Sequence, residues 1–161
     1  MSDLNTLRLA SVKLSPELLA QFLRYQRVVL SELSAHQPGD WAGRFAFAHA
    51  RGLTESKLEG LTLQKLRVLV SDFCGRRSAA LTVKQRIADA EHQLAAKADP
   101  KTQQLLERAR KELPKLEDLT EYEDRYGAEA VALLRSDELE LVTLHRDLAR
   151  IEGGPGHVHP T

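Results

Sequence analysis

Apolar positions recur at helical spacing through most of the chain. The longest segment with this pattern runs from Thr54 to Ala98 and contains no proline. Its apolar stripe keeps its phase across Gly75, which predicts one helix through that glycine, with a break at Gly75 as the alternative. Such a helix would be about 65 Å long, whereas a compact domain of this size has a radius of gyration of about 15 Å. We therefore expect part of this helix to project from the body.

Two sites combine a capping side chain with a proline at the first helical position. Ser15 and Pro16 predict the start of the first helix, which the turn residues 37–39 would end. Asp99 and Pro100 predict a turn followed by a new helix. The second half of the long segment is therefore expected to have an antiparallel neighbour.

Shorter helices are predicted on either side of this hairpin. Asp40 would cap a helix from Trp41 to Ala50 that Gly52 closes, and Thr54 would cap the long helix. A last helix would carry the apolar stripe from 131 to 151. Asp137 interrupts that stripe, which leaves two interpretations open: a carboxylate facing a partner or pocket, or the start of a new helix.

The antiparallel pairing can be tested on the sequence, because facing residues should have numbers that sum to about 200. This register aligns apolar with apolar positions, and it places opposite charges face to face in four pairs: Glu91 with Arg110, Asp89 with Lys111, Lys84 with Glu117, and Arg77 with Glu123. Exposed pairs of this kind add little stability, but they specify register and orientation. The match fades below residue 74, so the pattern predicts a coiled-coil arm on a helical body.

The predicted fold class is all-α, with about five helices in a small bundle body and a projecting antiparallel coiled-coil hairpin. The body would comprise residues 14–74 and 127–152, and the arm residues 75–126, in one domain. Residues 7–14 alternate like a strand but have no partner strand, so we interpret them as an extended lead-in. Residues 153–161 are expected to be a disordered tail.

The composition favours a helical fold and gives little information about function. Aromatic residues make up only 5% of the chain, and the 23 basic and 23 acidic residues give a formal net charge of zero. This balance does not favour nucleic acid or an anionic membrane as a partner. No apolar run approaches the roughly 20 residues that span a bilayer, and the start of the chain lacks a signal-peptide pattern. We expect a cytoplasmic protein, although an export signal removed earlier would leave the same sequence.

No motif for catalysis, cofactor binding or metal binding is found. The chain lacks a Gly-rich phosphate loop, a nucleophile elbow, Cys-x-x-Cys and zincin spacing, so we expect no enzyme, no cofactor and no metal. Cys74 beside Arg76 and Arg77 suggests either an activated thiol or a buried helix cysteine, and we favour the buried cysteine. His145 suggests either a ligand or a histidine at the core edge, and again we favour the structural interpretation.

The densest basic groups are Arg76 with Arg77 and the segment 108–111. They suggest either phosphate or nucleic-acid binding or ion pairs within the chain, and we favour ion pairs because acidic residues face them in the predicted register. The acidic run 117–124 lacks the spacing of a calcium loop and is interpreted as a solvated helix face. Histidines 157 and 159 could hold a metal only weakly.

Three hypotheses about function follow, and the first is preferred. It is a non-enzymatic interaction, adaptor or assembly protein that acts through its arm and an aromatic helix surface, with a homodimer as one form of assembly. The candidate residues for contacts or a pocket are Trp41, Phe45, Phe47, Arg76, Arg77, Asp137 and His145. The alternatives are a small-molecule pocket between the first, second and last helices, anchored by Asp137, His145 or Gln26, and nucleic-acid binding through the basic groups.

Two segments resemble parts of small helical bacterial proteins. They are the helix start at 14–19 and the segment at 125–131. The resemblance points to no named family, so it implies no role for any residue.

Overall fold

The N-terminal part of the chain forms a pair of antiparallel helices. The computed structural model describes residues 12–35 and 40–152. Helix α1 (Pro16–Ser34) begins where the sequence predicted, because the Oγ of Ser15 accepts a hydrogen bond of 3.1 Å from the backbone N–H of Leu18. Its expected end at 37–39 lies outside the described residues. Helix α2 (Trp41–Ser56) returns along α1, with the Tyr25 hydroxyl 2.7 Å from Nδ1 of His49.

Helix α2 is longer than its sequence predicted. Gly52 does not close it but lies inside it, and the helix ends at Lys57, which adopts the left-handed conformation with φ of 59°. The long helix α3 (Gly60–Ala96) therefore starts at Gly60, and the prediction that Thr54 caps it was wrong. Glycine is the residue that usually adopts this conformation at the end of a helix. Because the residue here is a lysine, the end of α2 could not be recognised from the sequence.

Helix α3 continues through Gly75, as its unbroken apolar phase predicted. It has 37 residues and thus a length of about 55 Å. Buried side chains lie on both sides of the glycine, with Phe73 and Cys74 before it and Ala80 and Val83 after it.

Helix α4 (Pro100–Glu117) folds back along the distal half of α3. The carboxylate of Asp99 caps it by accepting hydrogen bonds from two backbone N–H groups of the first turn, which confirms the predicted start. The predicted register is confirmed at two levels: Arg110 Nη2 lies 2.7 Å from Glu91, and Lys84 Nζ lies 2.5 Å from Glu117. The expected ion pair of Asp89 with Lys111 is not formed among the described residues, because Asp89 instead accepts a hydrogen bond from Gln85 of its own helix.

Three shorter helices bring the chain back to the body. Helices α5 (Thr120–Tyr126) and α6 (Ala128–Ser136) are separated by Gly127, whose φ of 91° favours glycine. Helix α7 (Glu138–Glu152) follows a turn at Asp137. Of the two interpretations of Asp137, the structure therefore has the start of a new helix.

The main core lies between α1, the first half of α3, α6 and α7. Its largest fully buried side chains include Phe22, Tyr25, Leu66, Phe73, Leu134 and Leu141. Leu119 also belongs to this core, and the hydroxyls of Tyr122 and Tyr126 donate hydrogen bonds to Asp72 on α3. Helix α5 thus packs on the body, although it was assigned to the arm on sequence.

We therefore define the arm as residues 80–96 of α3 with residues 100–117 of α4. Its buried side chains, Ala80, Val83 and Leu106, lie outside the main core cluster. The fold is all-α, as predicted, and residues 12–35 and 40–152 contain no strand. None of the helices in these ranges has a stretch long and apolar enough to cross a bilayer.

Candidate functional site

The three aromatic residues predicted as a contact surface all lie on α2. Trp41 and Phe47 are exposed on the outside of the helix, whereas Phe45 is half-buried and packs against the main core. Two of the three rings are therefore exposed, and the third packs α2 against the body.

Arg76 joins the arm to the body. Its Nη2 donates a hydrogen bond of 2.6 Å to the carbonyl oxygen of Lys115, and its guanidinium lies 5.8 Å from the ring centre of Tyr122. The last carbonyls of a helix have no partner within the helix, so a guanidinium at this position caps the end of α4. This contact gives Arg76 a structural role.

Arg77 is buried at the same level and pairs with Glu138 at the start of α7, with only 4% of the residue exposed. The predicted pairing with Glu123 was wrong, because α5 turns toward Asp72 instead of continuing the arm. Arg77 Nη1 is buried and makes no hydrogen bond within the described ranges. Its burial removes Arg77 from any surface that a partner could contact.

Cys74 lies next to this pair and is fully buried. Burial, and then the nearby carboxylate of Glu138, raises the pKa of its thiol to about 12. A thiol with such a pKa is protonated at neutral pH and is a poor nucleophile. The structure thus supports the buried helix cysteine rather than an activated thiol.

The two residues proposed as pocket anchors in the last helical region separate in space. Asp137 lies in the turn before α7, where its carbonyl oxygen accepts a hydrogen bond of 2.9 Å from the N–H of Leu141. His145 lies two turns further along α7 and lines a cleft that Gln26 of α1 also lines. A cleft with two of the three predicted anchors therefore exists, but α3 forms its third wall instead of α2.

This cavity, which we call the Arg67 cleft, lies between α1, α3 and α7 and has a volume of about 250 Å³. Its walls include Phe22, Tyr25, Gln26, Arg67, His145 and Glu152. Arg67 was not among the site residues predicted from the sequence.

A hydrogen-bonded relay runs beside the Arg67 cleft. Arg67 Nη2 donates to the hydroxyl oxygen of Tyr25 over 2.7 Å, and the Tyr25 hydroxyl lies 2.7 Å from Nδ1 of His49. Because the tyrosine oxygen accepts from Arg67, its own proton is free to be donated to His49. This direction requires a neutral imidazole with its proton on Nε2.

The electrostatics of the relay agree with this direction. Burial raises the pKa of Tyr25 above its ordinary value of 10.0, so the phenol keeps its proton. Burial, and then the charge of Arg67, lowers the pKa of His49 below 6.5, so the imidazole stays neutral at pH 7. Protonation of His49 would turn Nδ1 into a donor facing the Tyr25 hydroxyl and add a second positive charge near Arg67.

This arrangement predicts how stability depends on pH. Because the unfolded chain protonates His49 at a higher pH than the folded protein does, the free energy of unfolding should decrease as pH falls from 7 through about 6.5. Above that range the titration of His49 does not change the free energy of unfolding. Replacing His49 with glutamine keeps an acceptor for Tyr25 and should make the loss between pH 7 and pH 5 smaller. Urea unfolding at several pH values measures this, and equal losses in both proteins would refute it.

A second concave surface, which we call the arm groove, runs along one face of the arm and has a volume of about 460 Å³. Its lining residues recur at i, i+3, i+4 and i+7 on both helices: Val83, Arg86, Asp89, Ala90 and Gln93 on α3, and Thr102, Leu105, Arg108, Ala109 and Glu112 on α4. Leu105 lies in it with 61% of its surface exposed. The groove therefore combines apolar positions with both signs of charge.

Sequence reasoning missed both the arm groove and the relay, although a signal for the groove was present. The spacing of Leu105, Ala109 and Glu112 places them on one face of α4, beside the stripe that pairs with α3. The relay had no local signal, because its members are 24 and 42 residues apart. Within the described parts of the chain, no group of three or more His, Cys, Asp or Glu side chains is arranged to hold a metal ion.

Comparisons with protein families, curated proteins and solved structures give no match to this chain.

Proposed function

We propose that this is a non-enzymatic helical assembly protein whose arm docks on the arm of a second copy of the chain. The observation that carries the proposal is the arm groove, in which Leu105 is exposed between charges of both signs. Val83, Ala90 and Ala109 line the same groove, so Leu105 has apolar neighbours against which the apolar face of another helix could pack.

Packing within the arm supports this proposal. Two helices alone can bury one seam of side chains, and here the buried set of the arm is limited to Ala80, Val83 and Leu106. Two such hairpins packed face to face form a four-helix bundle, which gives each helix a second neighbour. In that arrangement Leu105 of each copy would enter the interface.

Charge supports a second copy as the occupant. The register that pairs Glu91 with Arg110 also places Asp89 level with Glu112, with Arg86 about one turn toward the body and Arg108 about one turn toward the tip. Among the described residues, these four have no ion-pair partner. A second arm, reversed and shifted by about one turn, would place arginines opposite carboxylates, so the groove is complementary to itself.

The first test measures the mass of the protein in solution. Leu105→Glu places a charge in the proposed interface, and we expect it to shift a concentration-dependent dimer to monomer in sedimentation equilibrium. Leu61→Glu is the matched control, because Leu61 is 65% exposed but lies at the opposite end of α3. A monomeric parent protein, or equal effects of the two substitutions, would contradict the proposal.

Charge reversal tests the orientation of the two arms. The pair Arg86→Glu and Arg108→Glu makes the arm groove wholly acidic, and the pair Asp89→Lys and Glu112→Lys makes it wholly basic. Each double variant should be monomeric because like charges meet, and an equimolar mixture should form a dimer that raised salt weakens. Failure of the mixture to associate, with both variants folded by circular dichroism, would exclude this contact.

A further inference from the structure

We propose that the Arg67 cleft binds a small organic carboxylate that also carries a hydrogen-bond donor, such as an amino-substituted aromatic acid. This inference goes beyond assembly through the arm and is independent of it. It rests on an arginine that forms no ion pair and a buried amide oxygen that forms no hydrogen bond within the described residues, and on the size and apolar lining of the cleft.

Arg67 provides the positive end of the site. One of its nitrogens is held by the Tyr25 hydroxyl, and its guanidinium lies 5.5 Å from the centre of the same ring. No carboxylate of the described chain lies within ion-pair distance of it. A guanidinium has five donors in a planar fork, and that fork matches the two oxygens of a carboxylate. The relay through Tyr25 to His49 fixes its position before a ligand arrives.

Gln26 provides the acceptor. Only 6% of this residue is exposed, and its Oε1 is buried without a hydrogen bond in the part of the chain that the structure describes. Leaving such an oxygen unpaired costs free energy that a ligand N–H or O–H would recover. The carboxylate of Glu152 also lines the cleft and acts electrostatically on the Tyr25 hydroxyl, so the cleft carries one cationic and one anionic side chain. A ligand that carries both a carboxylate and a hydrogen-bond donor matches this set of polar groups.

Size and lining define the body of the ligand. A volume of about 250 Å³ corresponds to about eight molecules of liquid water, or to a compound of about ten non-hydrogen atoms. The walls between the polar groups are formed by Phe22, Val29, Val70 and Leu148. An aromatic ring or a short aliphatic chain fits such walls, whereas a nucleotide or a peptide is too large.

The experiment compares three probes on the full chain by two-dimensional amide NMR titration. 4-Aminobenzoate carries both polar groups, benzoate lacks the donor, and aniline lacks the carboxylate. We expect saturable shifts at the amides of Gln26, Val70 and Ala149, with aniline binding roughly 10- to 100-fold more weakly than 4-aminobenzoate. Benzoate should lie between them.

Matched variants assign the contacts. Arg67→Gln should weaken the binding of 4-aminobenzoate roughly 10- to 100-fold and leave the affinity for aniline unchanged. Arg86→Gln on the arm should change neither affinity. Gln26→Leu should abolish the preference for 4-aminobenzoate over benzoate. If Arg67→Gln does not fold, Arg67→Lys keeps the charge but loses the fork and should still bind several-fold more weakly.

The outcomes that overturn the proposal are also defined. Absence of saturable binding by all three probes would identify the cleft as a water-filled surface feature. Equal affinities in the Arg67 and Arg86 variants, or shifts confined to other helices, would refute the assignment. Because the arm-groove variants leave Arg67 intact, they should bind 4-aminobenzoate like the parent protein, so assembly and ligand binding are tested separately.

Discussion

Replacing Glu138 with glutamine is expected to lower the free energy of unfolding by about 3 kcal/mol, the lower end of the range for breaking a buried ion pair. The carboxylate of Glu138 accepts hydrogen bonds from both Nε and Nη2 of Arg77, whose side chain is almost completely buried. Glutamine fills the same space but leaves the guanidinium inside the protein without an opposite charge. The partial exposure of Glu138 limits the loss.

Two further variants separate this cause from general disruption of the core. Arg77→Met removes the buried charge itself and should cost less than Glu138→Gln, because no uncompensated ion remains. Glu91→Gln breaks the exposed ion pair with Arg110 on the arm and should cost at most about 1 kcal/mol. Urea unfolding followed by circular dichroism measures all three. If Glu138→Gln and Glu91→Gln lower the free energy of unfolding equally, the ion pair between Arg77 and Glu138 contributes no more than an exposed one.

The sequence predicted those parts of the fold that depend on neighbours along the chain. Caps at Ser15 and Asp99 act within the first turn of a helix, so they can be recognised locally. Continuity of α3 through Gly75 followed from the unbroken phase of its apolar stripe. The register of the arm followed because one short turn fixes which residues of α3 and α4 face each other.

The same reasoning failed where distant segments decide the contact. Arg77 was expected opposite Glu123, on the assumption that the pairing of the arm continues to its base. Instead α5 turns away from the arm, so that the Tyr126 hydroxyl donates a hydrogen bond to Asp72. Arg77 then pairs with Glu138, which is 61 residues further along the chain. The opposite charge was predictable, but its source was not.

The Arg67 cleft shows an intermediate case. Gln26 and His145 were proposed as anchors because polar groups on an apolar stripe need partners or a pocket. Arg67 could not be added from the sequence, because its contact with Tyr25 spans 42 residues and follows no periodicity. Pockets lined by several helices need the packing of those helices, so a sequence suggests single residues but not the set.

Gly52 was interpreted as the end of α2, but its role is close packing in the middle of the helix. A Cβ at this position would lie 2.8 Å from Cδ2 of Tyr25 and 3.0 Å from Cγ2 of Val29. The Tyr25 ring cannot easily move aside, because its hydroxyl is held by Arg67 and His49. The glycine therefore lets α2 approach α1 closely enough for His49 to reach Tyr25.

Gly52→Ala is accordingly expected to lower the free energy of unfolding by about 1 kcal/mol, as the net of two opposing contributions. The added methyl group overpacks the contact with Tyr25 at a cost of about 1–3 kcal/mol, which exceeds the gain of about 1 kcal/mol that alanine brings to a helix. Because Tyr25 also positions Arg67, the same variant should weaken the binding of 4-aminobenzoate. Thermal and urea unfolding measure the first effect, and the NMR titration measures the second.

Gly75→Ala is the matched control, since it is the same substitution inside a helix where a Cβ meets no atom within 4 Å. There only the backbone contribution remains, and we expect stability to rise by about 1 kcal/mol. The two substitutions should thus change the free energy of unfolding in opposite directions and differ by about 2 kcal/mol, although both replace a glycine inside a helix. If both substitutions increase the free energy of unfolding, α2 can move away from α1 without a loss of stability. The relay would then have no role in fixing Arg67.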